Sequence, residues 1–308
     1  MSERPDFHAL LCKRLENPGA LLAEHAPDKM GWAVLRQLDE DEEQGAGTFR
    51  MSSLGSCLRK QAFVFHGEEE DGRTIDARAR TTFAMGDMAE LFLVAALDET
   101  LQDKRHGWQL DGHRVEGQAR VWLGLELSTG TVHVPGHRDG LLFSEAWGKR
   151  FTLEVKSTSS YGYKRWQDAL DSGMDPWTPD EGYWWQIQGY MAAEDTDAGY
   201  VLALSKDSGA SMGFYVKRDP DFIPMLQRRL EAVVSHDPFS VPRVLPGGMT
   251  LEPVVDLHKT RGTPNKKHGT LPWQCRFCSY HNPCWGGRLE VTYVKDYRGF
   301  TSKLLKVR

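Results

Sequence analysis

The chain has 308 residues, of which 40% are hydrophobic and 26% charged, and its formal net charge is −5 at pH 7. This length allows one large domain or two smaller ones, and the negative charge argues against a uniformly basic coat for nucleic acid without excluding a local basic groove. No stretch approaches the roughly 20 apolar residues of a membrane span, and the first residues lack a secretory signal, so we expect a cytoplasmic protein outside the membrane.

Residues 1–50 are predicted to form a helical N-terminal extension. Apolar residues recur at helical spacing in residues 7–16 and again in residues 29–38. An acidic run at residues 39–43, followed by a glycine-rich link, separates this extension from the rest. We interpret the acidic run as a solvated helix end and Cys12 as a small buried hydrophobic residue.

The next helix is predicted to begin near Ser53 or Ser56, either of which can act as an N-cap. Cys57 then lies in the first turn, where free N–H groups and the helix dipole stabilise a thiolate. Such a cysteine suits a metal ligand, although one cysteine at a helix start is weak evidence. The two residues that follow in the helix, Arg59 and Lys60, are candidate nucleic-acid contacts.

An amphipathic helix is predicted from Thr81 to Leu101. We expect its apolar stripe to consist of Met85, Met88, Ala89, Phe92, Ala95 and Ala96. Glu90 lies beside this stripe, one turn after Gly86, where a carboxylate either reaches solvent or needs a buried partner. Taken alone, this position favours a structural role for Glu90 over a functional one.

Strands are predicted in residues 119–134, and two more in residues 137–143 and 151–156. Alternation places Glu154 and Lys156 on one face of the last strand, and places His137 and Asp139 on one face of the strand before it. If these last two strands pair, two carboxylates and an ammonium converge at a sheet edge, a group that suits a hard divalent cation. The alternative is an edge strand with a surface Glu–Lys pair.

Hydroxyl, aromatic and cationic side chains follow in residues 157–166. Tyr163, Lys164, Arg165 and Trp166 have the chemistry of a platform for single-stranded nucleic acid, which combines base stacking with phosphate contacts. A polar loop whose aromatic side chains pack back on the body is an equally good interpretation.

The C-terminal half is predicted to contain a helix that begins at Thr178-Pro179 and carries Gln186 and Tyr190 on one face. Strands at 199–205 and 212–217 and a helix at 219–235 follow. The element order indicates an α/β fold with a mixed sheet flanked by helices. The basic residues in 258–268 and after Lys295 are candidate phosphate contacts.

A cluster of three cysteines, Cys275, Cys278 and Cys284, has the spacing Cys-x2-Cys-x5-Cys and predicts a metal or cluster site. Cys57 is the best candidate for a fourth ligand, followed by His281 and Cys12. Four thiolates fit either structural zinc or a 4Fe–4S cluster. Because local zinc sites more often use two nearby pairs, the distant single cysteine favours iron–sulfur.

In this order, the motifs resemble the RecB-like branch of the PD-(D/E)xK nuclease superfamily, and specifically its iron–sulfur members. These members include the CRISPR adaptation nuclease, the AddB nuclease domain and stand-alone phage exonucleases. The resemblance covers about residues 53–290. It rests on Gly86-x-x-x-Glu90, His137-x-Asp139-Gly140, Glu154-Val155-Lys156, Gln186-x-x-x-Tyr190 and the four cysteines Cys57, Cys275, Cys278 and Cys284. Many members have His where this chain has Glu90, which leaves open whether one or two metal ions are used.

The resemblance implies a restriction-endonuclease-like αβββαβ core in residues 51–290, an iron–sulfur clasp and a basic tail at 291–308. It implies that Mg²⁺ or Mn²⁺ is held by Glu90, Asp139, Glu154 and the Val155 carbonyl. Lys156 would activate water and stabilise charge, and Gln186 and Tyr190 would contact DNA or the metal shell.

The expected function is cleavage of DNA by an exonuclease, with single-stranded DNA digested from the 5′ end, in recombination, repair or phage DNA processing. Expected partners are DNA, recombination or CRISPR-type proteins, and a second copy of the chain in a homo-oligomer. The alternative from another class is an iron–sulfur or zinc-containing nucleic-acid-binding subunit with an inactive nuclease fold.

Overall fold

The computed structural model describes residues 5–16, 45–71, 77–101, 107–111, 113–114, 117–253, 270–272, 274–275, 278–286, 289–295 and 301–307. Its α-helices are α1 (Phe7–Leu15), α2 (Leu58–His66), α3 (Ala77–Leu101), α4 (Ser160–Asp171), α5 (Gly182–Glu194), α6 (Phe222–Val234) and α7 (His281–Trp285). Its strands are β1 (Gln109–Asp111), β2 (His113–Arg114), β3 (Gly117–Leu127), β4 (Gly130–Arg138), β5 (Gly140–Ser144), β6 (Lys149–Thr158), β7 (Ala198–Ser205), β8 (Ser211–Lys217), β9 (Leu289–Lys295) and β10 (Thr301–Val307).

The central sheet has five strands in the order β1-β5-β6-β7-β8. Strands β6 and β7 are parallel, and the other neighbouring pairs are antiparallel. A second antiparallel sheet contains β2, β3 and β4, and β9 pairs with β10. The prediction of a mixed sheet flanked by helices is therefore confirmed, and so is the pairing of β5 with β6, in which Gly140 lies opposite Leu153.

Two hydrophobic cores cover the two faces of the central sheet. One lies under α1 and α3 and contains Phe7, Leu11, Leu93, Leu97, Leu153 and Val155. The other lies under α5 and α6 and contains Trp184, Ile187, Val201, Phe214 and Leu226. Because Phe7 and Leu11 of α1 are fully buried, this first helix packs as part of the same body as the sheet. The second predicted N-terminal helix, residues 29–38, lies outside the described residues, as does the basic stretch 258–268.

The buried face of α3 differs from the predicted one. Met85, Met88 and Phe92 are 52%, 40% and 44% exposed. Of the predicted stripe, Ala96 is buried, and the other fully buried apolar residues of the helix are Leu91, Leu93, Val94, Leu97 and Leu101. The helix carries apolar residues on two sides, so periodicity alone does not identify the side that meets the sheet.

The helix predicted from Thr178 begins later, at Gly182 of α5. The segment before it is a turn in which the Glu181 N–H donates to the Thr178 carbonyl at 2.8 Å. The Trp185 indole N–H also donates to the Pro179 carbonyl at 2.8 Å. Thr178 and Pro179 therefore hold a turn against the first turn of α5 rather than cap the helix.

Residues 160–171 form a helix, α4, so the interpretation of this stretch as a polar loop is wrong. Ser159 is its N-cap and accepts a hydrogen bond from the Gly162 N–H at 3.3 Å. No helix among the described residues is long and apolar enough to cross a membrane.

Candidate functional site

Strand β6 brings Glu154 and Lys156 to the same face of the central sheet. Leu153 and Val155 point into the core under α3, so the alternate residues point the other way. Glu154 is fully buried and forms an ion pair with Lys156, whose side chain is 17% exposed. Apart from this ion pair, neither carboxylate oxygen of Glu154 accepts a hydrogen bond from a described residue. Burying a carboxylate with so few partners costs free energy, and such costs are typical of functional sites.

Asp139 lies in the short connection between β4 and β5, not on a strand face shared with His137. His137 belongs to β4, so the predicted single strand over 137–143 is wrong: the chain turns at Asp139. The Asp139 side chain is 4% exposed, and its Oδ2 accepts a hydrogen bond from the Val155 N–H at 2.6 Å. The connection therefore places the Asp139 carboxylate beside the Glu154-Val155-Lys156 segment.

Glu90 reaches the same group from α3. Its carboxyl group hydrogen-bonds Asp139 and interacts electrostatically with Glu154 and Lys156. Gly86, one turn earlier, allows the close approach, because a Cβ atom built there would lie 3.2 Å from Ser157 Oγ of β6. The structure therefore brings together three carboxylates and one ammonium from three separate segments of the chain: α3, the β4–β5 connection and β6.

The pKa values report strong electrostatic coupling within this group. Burial raises the pKa of Glu154 to about 7, with Lys156 opposing the rise and Asp139 adding to it. Burial, followed by repulsion from Asp139, raises the pKa of Glu90 well above its usual range. Burial alone would lower the pKa of Lys156, but attraction to Glu154, Asp139 and Glu90 outweighs it and raises that pKa. The carboxylates repel one another, and added positive charge would stabilise their ionised forms.

The donor chemistry of this group fits a hard divalent cation, which prefers carboxylate oxygens. Among the residues that the structure describes, however, no three His, Cys, Asp or Glu side chains are already arranged as a metal site. The Lys156 ammonium is already paired with Glu154 and supplies one positive charge to this group. The Val155 carbonyl remains a predicted ligand.

Helix α5 brings Gln186 and Tyr190 to the same group. Tyr190 is 2% exposed, and its hydroxyl donates to the His137 carbonyl at 2.7 Å. Burial, then Glu154 and Asp139, raise the pKa of Tyr190, whereas a hydrogen bond with Gln186 lowers it. Gly136 makes room for the ring, because a Cβ atom there would lie 2.7 Å from Tyr190 Cε1. Tyr190 thus fixes the end of β4 just before Asp139.

All four predicted cluster cysteines line one cleft of about 790 Å³: Cys57, Cys275, Cys278 and Cys284. Burial, followed by repulsion from the other three cysteines, raises the pKa of Cys275 to about 12. Burial also raises the pKa values of Cys278 and Cys284. Four mutually interacting thiols in one cleft fit the donor set of a thiolate-bound zinc ion or iron–sulfur cluster. Among the described residues, these thiols, like the carboxylates, are not already arranged as a metal site.

The two other candidates for the fourth ligand are engaged elsewhere. His281 has both ring nitrogens occupied, with Nε2 on the Cys275 carbonyl and Nδ1 3.4 Å from the Asp71 carboxylate. Cys12 lies on α1 outside the cleft, half-buried rather than buried, with its Sγ 3.3 Å from His8 Nε2. These contacts leave Cys57 as the candidate that shares a cleft with the other three cysteines.

The cleft extends from the cysteines toward the strand that carries Lys156. Its walls include Lys60, Ser159, Tyr161, Arg165 and Tyr183. Tyr161 is 81% exposed and Tyr183 is 40% exposed. Neither tyrosine is among the predicted contact residues, although Tyr161 lies in the predicted nucleic-acid stretch and Tyr183 lies three residues before Gln186.

The other predicted nucleic-acid contacts occupy varied positions. Trp166 is 2% exposed within the core, so its ring offers no open face for base stacking in this structure. The Tyr163 hydroxyl donates to the Ser211 carbonyl at 2.9 Å, and Arg59 Nε donates to the Val241 carbonyl at 2.6 Å. Lys164 and Arg165 pair with Asp168 and Glu181, respectively.

No protein-family model matches the chain, and no curated protein matches it. The crystal structure of SSO0001 aligns at a TM-score of 0.45 and 14% identity, covering 82% of this chain and 92% of that chain. An alkaline exonuclease (LHK-Exo) from Laribacter hongkongensis aligns at a TM-score of 0.33 and 14% identity, covering 62% and 88%. The same exonuclease in complex with dAMP aligns at 0.27 and 16% identity, covering 61% and 90%. Similarities this low do not establish function, which we infer from the site itself.

Proposed function

We propose that the chain is a metal-dependent deoxyribonuclease that hydrolyses phosphodiester bonds in DNA on a restriction-endonuclease-like core. The observation that carries this proposal is the electrostatically coupled group of Glu90, Asp139, Glu154 and Lys156. Hydrolysis of a phosphodiester needs an oriented water and neutralisation of the charge that develops on phosphate. The three carboxylates can hold a divalent cation that neutralises this charge, and the ammonium beside them can orient the water.

Mg²⁺ or Mn²⁺ held by Glu90, Asp139, Glu154 and the Val155 carbonyl would supply Lewis-acid polarisation of the scissile phosphate. Lys156 keeps its proton, because the surrounding carboxylates raise its pKa. Its ammonium therefore donates hydrogen bonds that orient the attacking water and stabilise negative charge on phosphate oxygens. Tyr190 holds the backbone before Asp139 through the His137 carbonyl, and Gln186 extends the polar wall of the site.

The four-cysteine cleft is proposed to hold a 4Fe–4S cluster, with zinc as the alternative. Cys57 precedes α2, whereas the other three cysteines lie near the chain's C-terminal end, so a bound cluster would join two distant segments. The exposed Tyr161 and the cations along the same cleft suit an unpaired strand, which offers bases for stacking and phosphates for ion pairs. We therefore propose single-stranded DNA as the preferred substrate.

Digestion from the 5′ end, as an exonuclease, is proposed from the resemblance of the motifs alone. The same resemblance suggests roles in recombination, repair or phage DNA processing. It also suggests recombination or CRISPR-type protein partners, or assembly with a second copy of the chain.

A second candidate function is a nucleic-acid-binding subunit with an inactive nuclease fold. The ion pair between Glu154 and Lys156 favours it, because the buried carboxylate already has a positively charged partner. The two candidates differ in one property, which is metal-dependent cleavage of DNA.

The test compares matched single-stranded DNA, double-stranded DNA and RNA, incubated with Mg²⁺, Mn²⁺ or EDTA. The variant Asp139→Asn keeps an oxygen that can accept the Val155 N–H but removes the negative charge. The matched control is Asp171→Asn, an exposed position at the end of α4. We expect metal-dependent cleavage of single-stranded DNA that falls at least about a hundredfold in Asp139→Asn only. DNA binding without cleavage by the native protein would support the inactive subunit instead.

A further inference from the structure

The Lys156 ammonium has a second contact besides its ion pair. Its Nζ lies over the aromatic ring of Tyr183, 5.6 Å from the ring centroid. This distance is within the range of a cation–π interaction. Tyr183 is the second residue of α5 and also lines the cleft that contains the four cysteines.

The ring of Tyr183 is held in place from two directions. It packs 5.4 Å from the ring of Trp177 and 6.0 Å from the ring of Trp166, and both tryptophans are 2% exposed. The backbone before it is fixed as well, because a Cβ atom built on Gly55 would lie only 2.2 Å from the Cα of Gly182. Tyr183 therefore presents to Lys156 an aromatic face whose ring packs against two buried tryptophans.

A cation held by Glu154 would weaken the attraction of that carboxylate for Lys156. The π-face of Tyr183 is not a ligand of such a cation, so it would still attract the ammonium. We propose that Tyr183 is a positioning residue that sets the location of Lys156 Nζ through its π-face. This inference rests on the proposed nuclease function.

The test weakens the negative electrostatic potential of the ring face at position 183 while keeping the shape of the ring nearly constant. The native protein is compared with Tyr183→Phe and with the same position carrying mono-, di- and trifluorinated phenylalanine, each of which weakens the negative ring face further. We expect Tyr183→Phe to retain kcat within about twofold, and kcat to fall stepwise with fluorination by about twofold to thirtyfold in total. KM for single-stranded DNA should remain unchanged, because the effect passes through Lys156.

Two controls separate positioning from general disturbance. The same fluorinated series at Phe239, which is 47% exposed and packs against the ring of Phe63, should leave kcat unchanged. In a Lys156→Arg background, with its lower activity, the Tyr183 series should have a different slope, since a planar guanidinium meets the ring differently from an ammonium.

The outcomes distinguish the two proposals. A native protein that cleaves DNA but shows a flat fluorination series, or a rise in KM without a fall in kcat, overturns the role of Tyr183 and leaves the nuclease intact. A native protein that never cleaves DNA overturns the proposed function and this inference together.

Discussion

The buried carboxylate of Glu154 predicts an unusual dependence of stability on pH. Burial raises its pKa from 4.5 to about 7. Between these two pH values the folded state retains a proton that the unfolded state has lost, so the free energy of unfolding falls as pH rises through this window. The difference between the two pKa values corresponds to roughly 3 kcal/mol once the pH exceeds both.

The perturbation is Glu154→Gln, which keeps the side-chain shape and cannot ionise. The variant lacks the Glu154 contribution, and it also relieves repulsion on Glu90, whose pKa is raised in part by Glu154. We therefore expect the free energy of unfolding of the native protein in EDTA to fall by at least roughly 3 kcal/mol from about pH 5 to about pH 8. In the variant the fall should be smaller by roughly 3 kcal/mol, and the part that comes from Glu90 should remain. Urea unfolding at each pH measures both slopes.

Divalent cations should reverse this loss in the native protein. At about one hundred times the dissociation constant, Mn²⁺ should add about 2.7 kcal/mol at about pH 8, and less in the variant. The control is Glu145→Gln, an exposed position in the turn between β5 and β6, which should behave as the native protein does. Equal pH slopes for native protein and Glu154→Gln would refute the reasoning, because Glu154 would then not be the buried group that titrates.

Two further predictions concern a glycine beside the carboxylate group and a cysteine of the four-cysteine cleft. Gly136→Ala should displace the Tyr190 ring, lower the free energy of unfolding by about 1–3 kcal/mol and reduce the rate of DNA cleavage. In the control Gly124→Ala, the nearest atom to the new Cβ would be 3.8 Å away, so urea unfolding and cleavage assays should show much smaller losses. Cys278→Ala should give a colourless, less stable protein with reduced iron or zinc content, whereas the control Cys12→Ala should retain the metal. Identical metal content and visible absorbance in the two variants would argue against the cysteine cleft as a metal site.

Much of the central sheet could be predicted from its sequence pattern. In β6, alternation puts Leu153 and Val155 in one core and Glu154 and Lys156 on the opposite face, and the structure has this arrangement. The pairing of β5 with β6 follows from two neighbouring apolar strands joined by a short turn. Alternation within a strand is a local property, which is why the sequence carries it.

Other features depend on contacts that sequence patterns do not report. Apolar residues on two sides of α3 left its buried face ambiguous, and the exposed side carries Met88 and Phe92. The sequence around Glu90 favours a structural role, because its partner is not nearby in the chain. That partner, Asp139, lies in the connection between β4 and β5, far from α3 in sequence. The importance of Tyr183 depends on the packing of α5 against β6, which brings its ring under Lys156. These relations arise only when the elements pack together.

The most direct test of the nuclease proposal is cleavage of single-stranded DNA labelled at its 5′ or its 3′ end, with Mn²⁺ present. The native protein is compared with Lys156→Ala and with Lys149→Ala, an exposed lysine at the start of the same strand. We predict metal-dependent shortening that is retained in Lys149→Ala and lost in Lys156→Ala, with the 5′ label released first. Full activity in a folded Lys156→Ala protein, or no cleavage by the native protein, would contradict the account.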